Sequence, residues 1–194
     1  MLCSVSPVQI RIDLKQKYCS MKYFFLLLVL LTTLSGCLTP DDIWAEDNNN
    51  GYLIFQSEYT NYAWGYSHGG WMLDNTGQVK RFQKSAKWVF PDSLGYVSAP
   101  DMQKNLAACD SVLAQVSSKD LALYAEKAIG CANGPMSKAT MTMADAGEHI
   151  YAIYLYESGS NRYKRMILDM TGDWSQQNLA AKSKEIVEWM KSIK

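Results

Sequence analysis

Residues 148–157 read Glu-His-Ile-Tyr-Ala-Ile-Tyr-Leu-Tyr-Glu, "EHIYAIYLYE". Ile150, Ala152, Tyr154 and Tyr156 alternate with Tyr151, Ile153 and Leu155, so a strand here carries apolar bulk on both faces. A strand with one wet face would place polar residues at every second position. The stretch is therefore expected to be a central strand with one face against helices.

Outward from it the pattern stays β. Upstream lie "SKATMTMAD" and a turn at Ala146-Gly147, and downstream a turn at Ser158-Gly159-Ser160-Asn161 leads into "RYKRMILDM". Residues 52–96 read the same way, with "YLIFQSEY", "AWGYSHGGWMLD" and "QVKRFQKSAKWVF" as strands. Asp74-Asn75-Thr76-Gly77 between the last two is a hairpin turn, with Gly where a positive φ is useful.

Between these β regions the period changes. Met102, Leu106, Cys109, Val112, Leu113 and Val116 recur at three and four, which predicts a helix over 100–117 started by Ala99-Pro100-Asp101. A second helix is expected from an N-cap at Ser118 to Gly130, giving a helical hairpin. A last helix over 175–193 puts Leu179, Ile186, Val187, Met190 and Ile193 on one stripe, capped by Asp173 to Ser175. The order is strands, helices, strands, helix, without βαβ alternation. It predicts a single α+β domain, a mostly antiparallel sheet packed on one face by about three helices.

One motif invites an enzymatic reading. "GYSHGGW", residues 65–71, matches G-x-S-x-G, the spacing of a hydrolase nucleophile elbow centred on Ser67. That device needs a helix directly after the serine, whereas Ser67 runs into a strand and a hairpin turn. The glycines are instead expected to serve a bend or a close approach of backbones. His68 and His149 are the only histidines, and no Cys or third His accompanies them at metal spacing, so neither a metal nor a cofactor is expected.

Residues 52–96 also hold 11 aromatic residues, more than one face of a three-stranded sheet must bury. Some rings should be exposed, and exposed Tyr and Trp suit recognition. Tyr62, Trp64, Tyr66, His68 and Trp71 are the candidate binding residues, with alternation placing Tyr62, Trp64 and Tyr66 on one face.

The chain's beginning speaks about location. Met21-Lys22-Tyr23-Phe24-Phe25 followed by "LLLVLLTTLSGC" has the basic start, short apolar run and small residues of a secretory signal. Leu34-Ser35-Gly36-Cys37 resembles the bacterial lipobox. The resemblance implies cleavage before Cys37, acylation of that cysteine and anchoring to a membrane by lipid. Leu38, which is not Asp, implies the outer membrane. The Asp41-Asp42 pair resembles the acidic export signal of surface lipoproteins in Bacteroidota, so either the periplasmic face or the cell surface fits. Residues 1–20 fit no part of such a signal, and translation is expected to start at Met21. The organisation is then a signal over 21–36, the lipidated Cys37 with a flexible tether over 37–51, and one α+β domain over 52–194.

From Cys37 onward 15 basic residues stand against 18 acidic ones, a formal charge of −3 that gives no electrostatic case for nucleic acid. Cys3 and Cys19 precede the expected start and Cys37 carries lipid. Cys109 and Cys131 remain, and in an exported, oxidising setting they are expected to form a disulfide contributing on the order of 3 kcal/mol. The function expected is a non-catalytic envelope lipoprotein that binds a glycan or an envelope protein. The alternative is a small envelope hydrolase using Ser67 or His149.

Overall fold

The structure, a computed structural model, describes residues 53–83 and 86–193. Cys37, the lipobox and the tether lie outside the described residues. The first strands are β1 (Leu53–Asn61), β2 (Ser67–Leu73), β3 (Gln78–Gln83) and β4 (Tyr96–Ser98). Then follow helix α1 (Ala99–Ala107), strand β5 (Ser111–Gln115), helix α2 (Ser118–Cys131) and the two-residue β6 (Thr140–Met141). The chain closes with β7 (Glu148–Glu157), β8 (Arg162–Gly172), β9 (Trp174–Gln177) and helix α3 (Ser183–Ser192).

Every strand pairing is antiparallel, in the order β5-β3-β2-β1-β7-β8-β9-β6, and β4 shares the outer edge of β8 with β9. Residues 148–157 form β7, central between β1 and β8 as expected. Asp74 closes the β2–β3 hairpin by accepting the backbone N–H groups of Thr76 and Gln78 on one carboxylate oxygen, while Lys80 pairs with the other.

Alternation sorts the core into two layers. Leu53, Phe55, Leu73, Val79 and Ile153 point to one face, where α2 supplies Ala128 and Cys131 and α3 supplies Ile186, Val187 and Met190. Ile54, Met72, Phe82, Tyr154 and Tyr163 point to the other, where α1 brings Ala99 and Met102. The helices thus cover both faces of the sheet rather than one. This follows from the central strands: β7 is apolar at odd and even positions alike and β1 is buried on both faces from Leu53 to Glu58, so each face needs its own cover.

Two helix expectations are corrected. Helix α1 ends at Ala107, where the Ala108 N–H turns back to the carbonyls of Lys104 and Asn105, and residues 111–115 form β5 on the edge of β3. Periodicity of a short apolar run cannot separate helix from strand, and the open ladder edge of β3 decides it. Val112 and Leu113 consequently face solvent. At the far end, residues 174–177 pair with β8 as β9, and α3 starts only at Ser183, leaving Leu179 exposed. Ser98 and Ser117 each accept the backbone N–H of the Asp three residues on, so the cap of α2 is Ser117 rather than the expected Ser118, because only Ser117 stands three residues before Asp120.

The helical hairpin that was to bring Cys109 to Cys131 therefore does not form. Cys131 lies in the core under α2, Cys109 packs with the α1 layer on the opposite face, and both are free thiols. Alkylation under denaturing, non-reducing conditions is expected to add one group to each of Cys109 and Cys131, read by peptide mass. A pair that resists alkylation until reduced would contradict this arrangement.

Candidate functional site

The site begins with the alternation of β1. Ile54, Gln56 and Glu58 share the α1 side of the sheet, and β1 buries all three. On β2 the matching positions are His68, Gly70 and Met72, with Gly70 opposite Glu58 and Met72 opposite Gln56. On β7 Ile150 lies opposite Glu58 and Ala152 opposite Gln56. One strand further, Arg165 of β8 lies opposite Tyr154.

Glu58 gathers this row. His68 Nε2 lies 2.8 Å from Glu58 Oε1, and Arg165 Nη2 donates to Glu58 Oε2 at 3.1 Å. An ionised carboxylate only accepts, so the imidazole donates through Nε2. Arg165 reaches Glu58 across β7, and the register puts Ala152, small enough to leave that path clear, between the residues it crosses.

Aromatic rings wall the imidazole. Phe82, Trp88 and Phe90 stand with centroids 5.1, 5.2 and 5.0 Å from His68, and Tyr66 stacks at 6.1 Å. Asn105 on α1 holds the segment bearing Trp88 and Phe90. It donates to the Val89 carbonyl and accepts the Val89 N–H, both at 2.8 Å.

Above this floor the chain between β1 and β2 forms a loop of exposed rings: Tyr62 is 71 %, Trp64 84 % and Tyr66 43 % exposed. The loop is pinned at its base. Asn61 accepts the Ala63 N–H at 2.8 Å and donates to Tyr59 Oη and to the Asp145 carbonyl. Tyr62 and Tyr66 pack ring to ring at 5.4 Å, and Gly65 takes φ +95°, a value that L side chains rarely adopt. Burial, together with the neighbouring Tyr62 and Glu58, raises the Tyr66 phenol, which stays protonated at neutral pH.

Among the candidate binding residues, Tyr62, Trp64 and Tyr66 thus come together on a turn rather than on a strand face. His68 lies beneath them, buried. Trp71 does not join them: it packs half-buried against the core layer of α2 and α3 on the other face. Gly70 is required by close approach, since a Cβ there would collide with the Ser57 carbonyl of the neighbouring strand.

Ser67 opens β2 rather than a helix, and the hydrogen-bond partner of His149 is Ser57, with Oγ to Nε2 at 2.9 Å. Ser57 sits between two paired strands, opposite Trp71 and Tyr151, so its surrounding backbone N–H groups belong to the ladder and leave no pair for an oxyanion. Burial lowers the His149 pKa below 6.5, with Asp169 opposing and Lys191 adding to the fall.

Sequence reasoning missed Gln56, Glu58, Arg165 and Phe90. The alternation in "LIFQSEY" does put Gln56 and Glu58 on one face, but in a strand that pattern ordinarily marks the wet side. Only the packing of α1 and residues 86–98 makes it the inside.

Two measurements test the site's electrostatics. Arg165→Met, which strands a buried carboxylate, is expected to lower stability by about 3 kcal/mol in urea unfolding, with Glu58→Gln in the same chain recovering part of the loss. For His149, the folded state resists protonation, so its contribution is full above pH 6.5 and falls as the pH drops through that value. Between pH 7.5 and 5.5 wild type should lose more stability than His149→Gln, and equal losses would count against the burial of this imidazole.

No protein-family model matches the chain, no curated protein matches it and no solved structure matches it. What the site does is then a question for its own residues.

Proposed function

We propose that this chain is an outer-membrane lipoprotein anchored through Cys37, whose domain is a non-catalytic recognition module for a glycan or another envelope protein. The observation that carries the reading is the β1–β2 loop, where three large rings are held in water by a pinned backbone. Exposed rings alone cost solubility. Rings fixed in advance lose little freedom on binding, and Tyr and Trp offer large contact area with polar tips.

The position of the loop supports the same reading. It lies at the end of the nine-residue β1 opposite Leu53, about 27 Å from the point where the tether would join at roughly 3.4 Å per residue. Tyr59, which donates to the Ala146 carbonyl, continues the aromatic surface toward the turn before β7.

The hydrolase alternative would act through Ser67 or through the Ser57–His149 contact, and labelling by a fluorophosphonate probe would reveal it. The recognition reading expects none. It expects the full-length protein, purified in detergent, to show a tryptophan fluorescence change against a panel of envelope glycans and envelope proteins. Trp64→Ala and Tyr62→Ala should abolish that change with the thermal midpoint unaltered, whereas Trp71→Ala should lower the midpoint. Palmitate incorporation should be lost in Cys37→Ser. A response that survives both loop variants would refute the role of the loop.

A further inference from the structure

Among the described residues, five buried side-chain nitrogen or oxygen atoms have no hydrogen-bond partner. Four belong to one cluster: both amide atoms of Gln56, Nδ1 of His68 and Nε of Arg165. An unpartnered buried polar atom leaves its desolvation unrepaid, and each one in a native fold calls for an explanation. They are not scattered. Gln56 and Glu58 are consecutive on one face of β1, His68 and Arg165 bond the two oxygens of Glu58, and the positions flanking this pair include Gly70 and Ala152. Small side chains thus border the polar groups on both neighbouring strands, Gly70 because the Ser57 carbonyl closes on it and Ala152 opposite Gln56.

We propose that this floor, with the rings above it, binds a neutral hydroxyl-rich ligand, namely a single sugar residue. The inference rests on the recognition reading and names its ligand class. Three chemical features select it. The unused groups both give and take: the Gln56 amide and Arg165 Nε donate, while the Gln56 carbonyl and His68 Nδ1 accept. A hydroxyl does both, and vicinal hydroxyls answer donors and acceptors that neighbour one another. The charge is already balanced, because the Glu58 carboxylate is held by Arg165, so a charged ligand gains no net attraction there. The walls are aromatic faces, negative at their centres, which suit the weakly positive C–H face of a pyranose.

The way in is also indicated. Tyr66 and Phe90, each 43 % exposed, touch the His68 ring on one side and water on the other. Entry on this proposal turns these two rings away from His68, and their return would stack them on the bound sugar. Asn105 holds the backbone beside Phe90 in place, so the opening is a side-chain motion.

The test uses full-length protein in detergent and four free monosaccharides as probes: glucose, galactose, mannose and N-acetylglucosamine. Binding is read by saturation-transfer NMR and fluorescence titration. Gln56→Leu removes two of the four unpartnered atoms without changing charge, and its thermal midpoint should hold or rise because the atoms lost were unpaired. At least one sugar is expected to bind wild type, with Gln56→Leu weakening it about tenfold, the equivalent of one or two hydrogen bonds. Binding that persists in Gln56→Leu but vanishes in Trp64→Ala would overturn the floor as the site while leaving the loop reading intact. No binding of any probe by wild type would overturn the sugar proposal. The loop reading then stands or falls on the separate panel against envelope proteins, where Trp64→Ala is the deciding variant.

Discussion

The carboxylate of Glu58 ties four adjacent strands together. From β1 it holds His68 on β2 through one oxygen and Arg165 on β8 through the other, reaching over β7 to do so. A slip of one residue in any of these strands would turn its polar member to the opposite face and leave a charge among Phe55, Leu73 and Ile153. The ion network therefore fixes the register of the sheet's centre, a role for which apolar residues, interchangeable in size and indifferent to partner, are poorly suited. It also sets the position of everything above it, because the rings of Phe82, Trp88, Phe90 and Tyr66 pack around the imidazole that Glu58 orients.

The readable part of the fold was the part governed by local chemistry. The two-faced apolar alternation of residues 148–157 and the Asp-Asn-Thr-Gly turn are decided by the residues themselves, and each lies where the pattern puts it. What local pattern could not decide depends on partners distant in sequence. Residues 111–115 keep a helical spacing yet take the vacant edge of β3, and residues 174–177 do the same beside β8. The site divides along the same line. Tyr62, Trp64 and Tyr66 were legible as a surplus of rings, whereas Glu58 and Arg165, separated by more than a hundred residues, are joined only by the folded sheet.

Floor and loop are two levels of one construction. Asn61 closes the end of β1, fixes the turn that follows and links it to the turn before β7, so the exposed rings hang from the same strand that carries Gln56 and Glu58. Helix α1 contributes through Asn105, which holds the segment that walls the imidazole. The backbone that carries these rings is thus fixed from both sides.

The separation of the two cysteines has a bearing on how the chain matures. The sheet stands between Cys109 and Cys131 like a partition, and burial raises both thiols, Cys109 to about 11, so little thiolate exists at neutral pH to attack an oxidant or a foreign disulfide. The native fold then needs no thiol oxidase to complete it. The stability of the folded domain is therefore the same under reducing and oxidising conditions, since no covalent link between these two residues contributes to it.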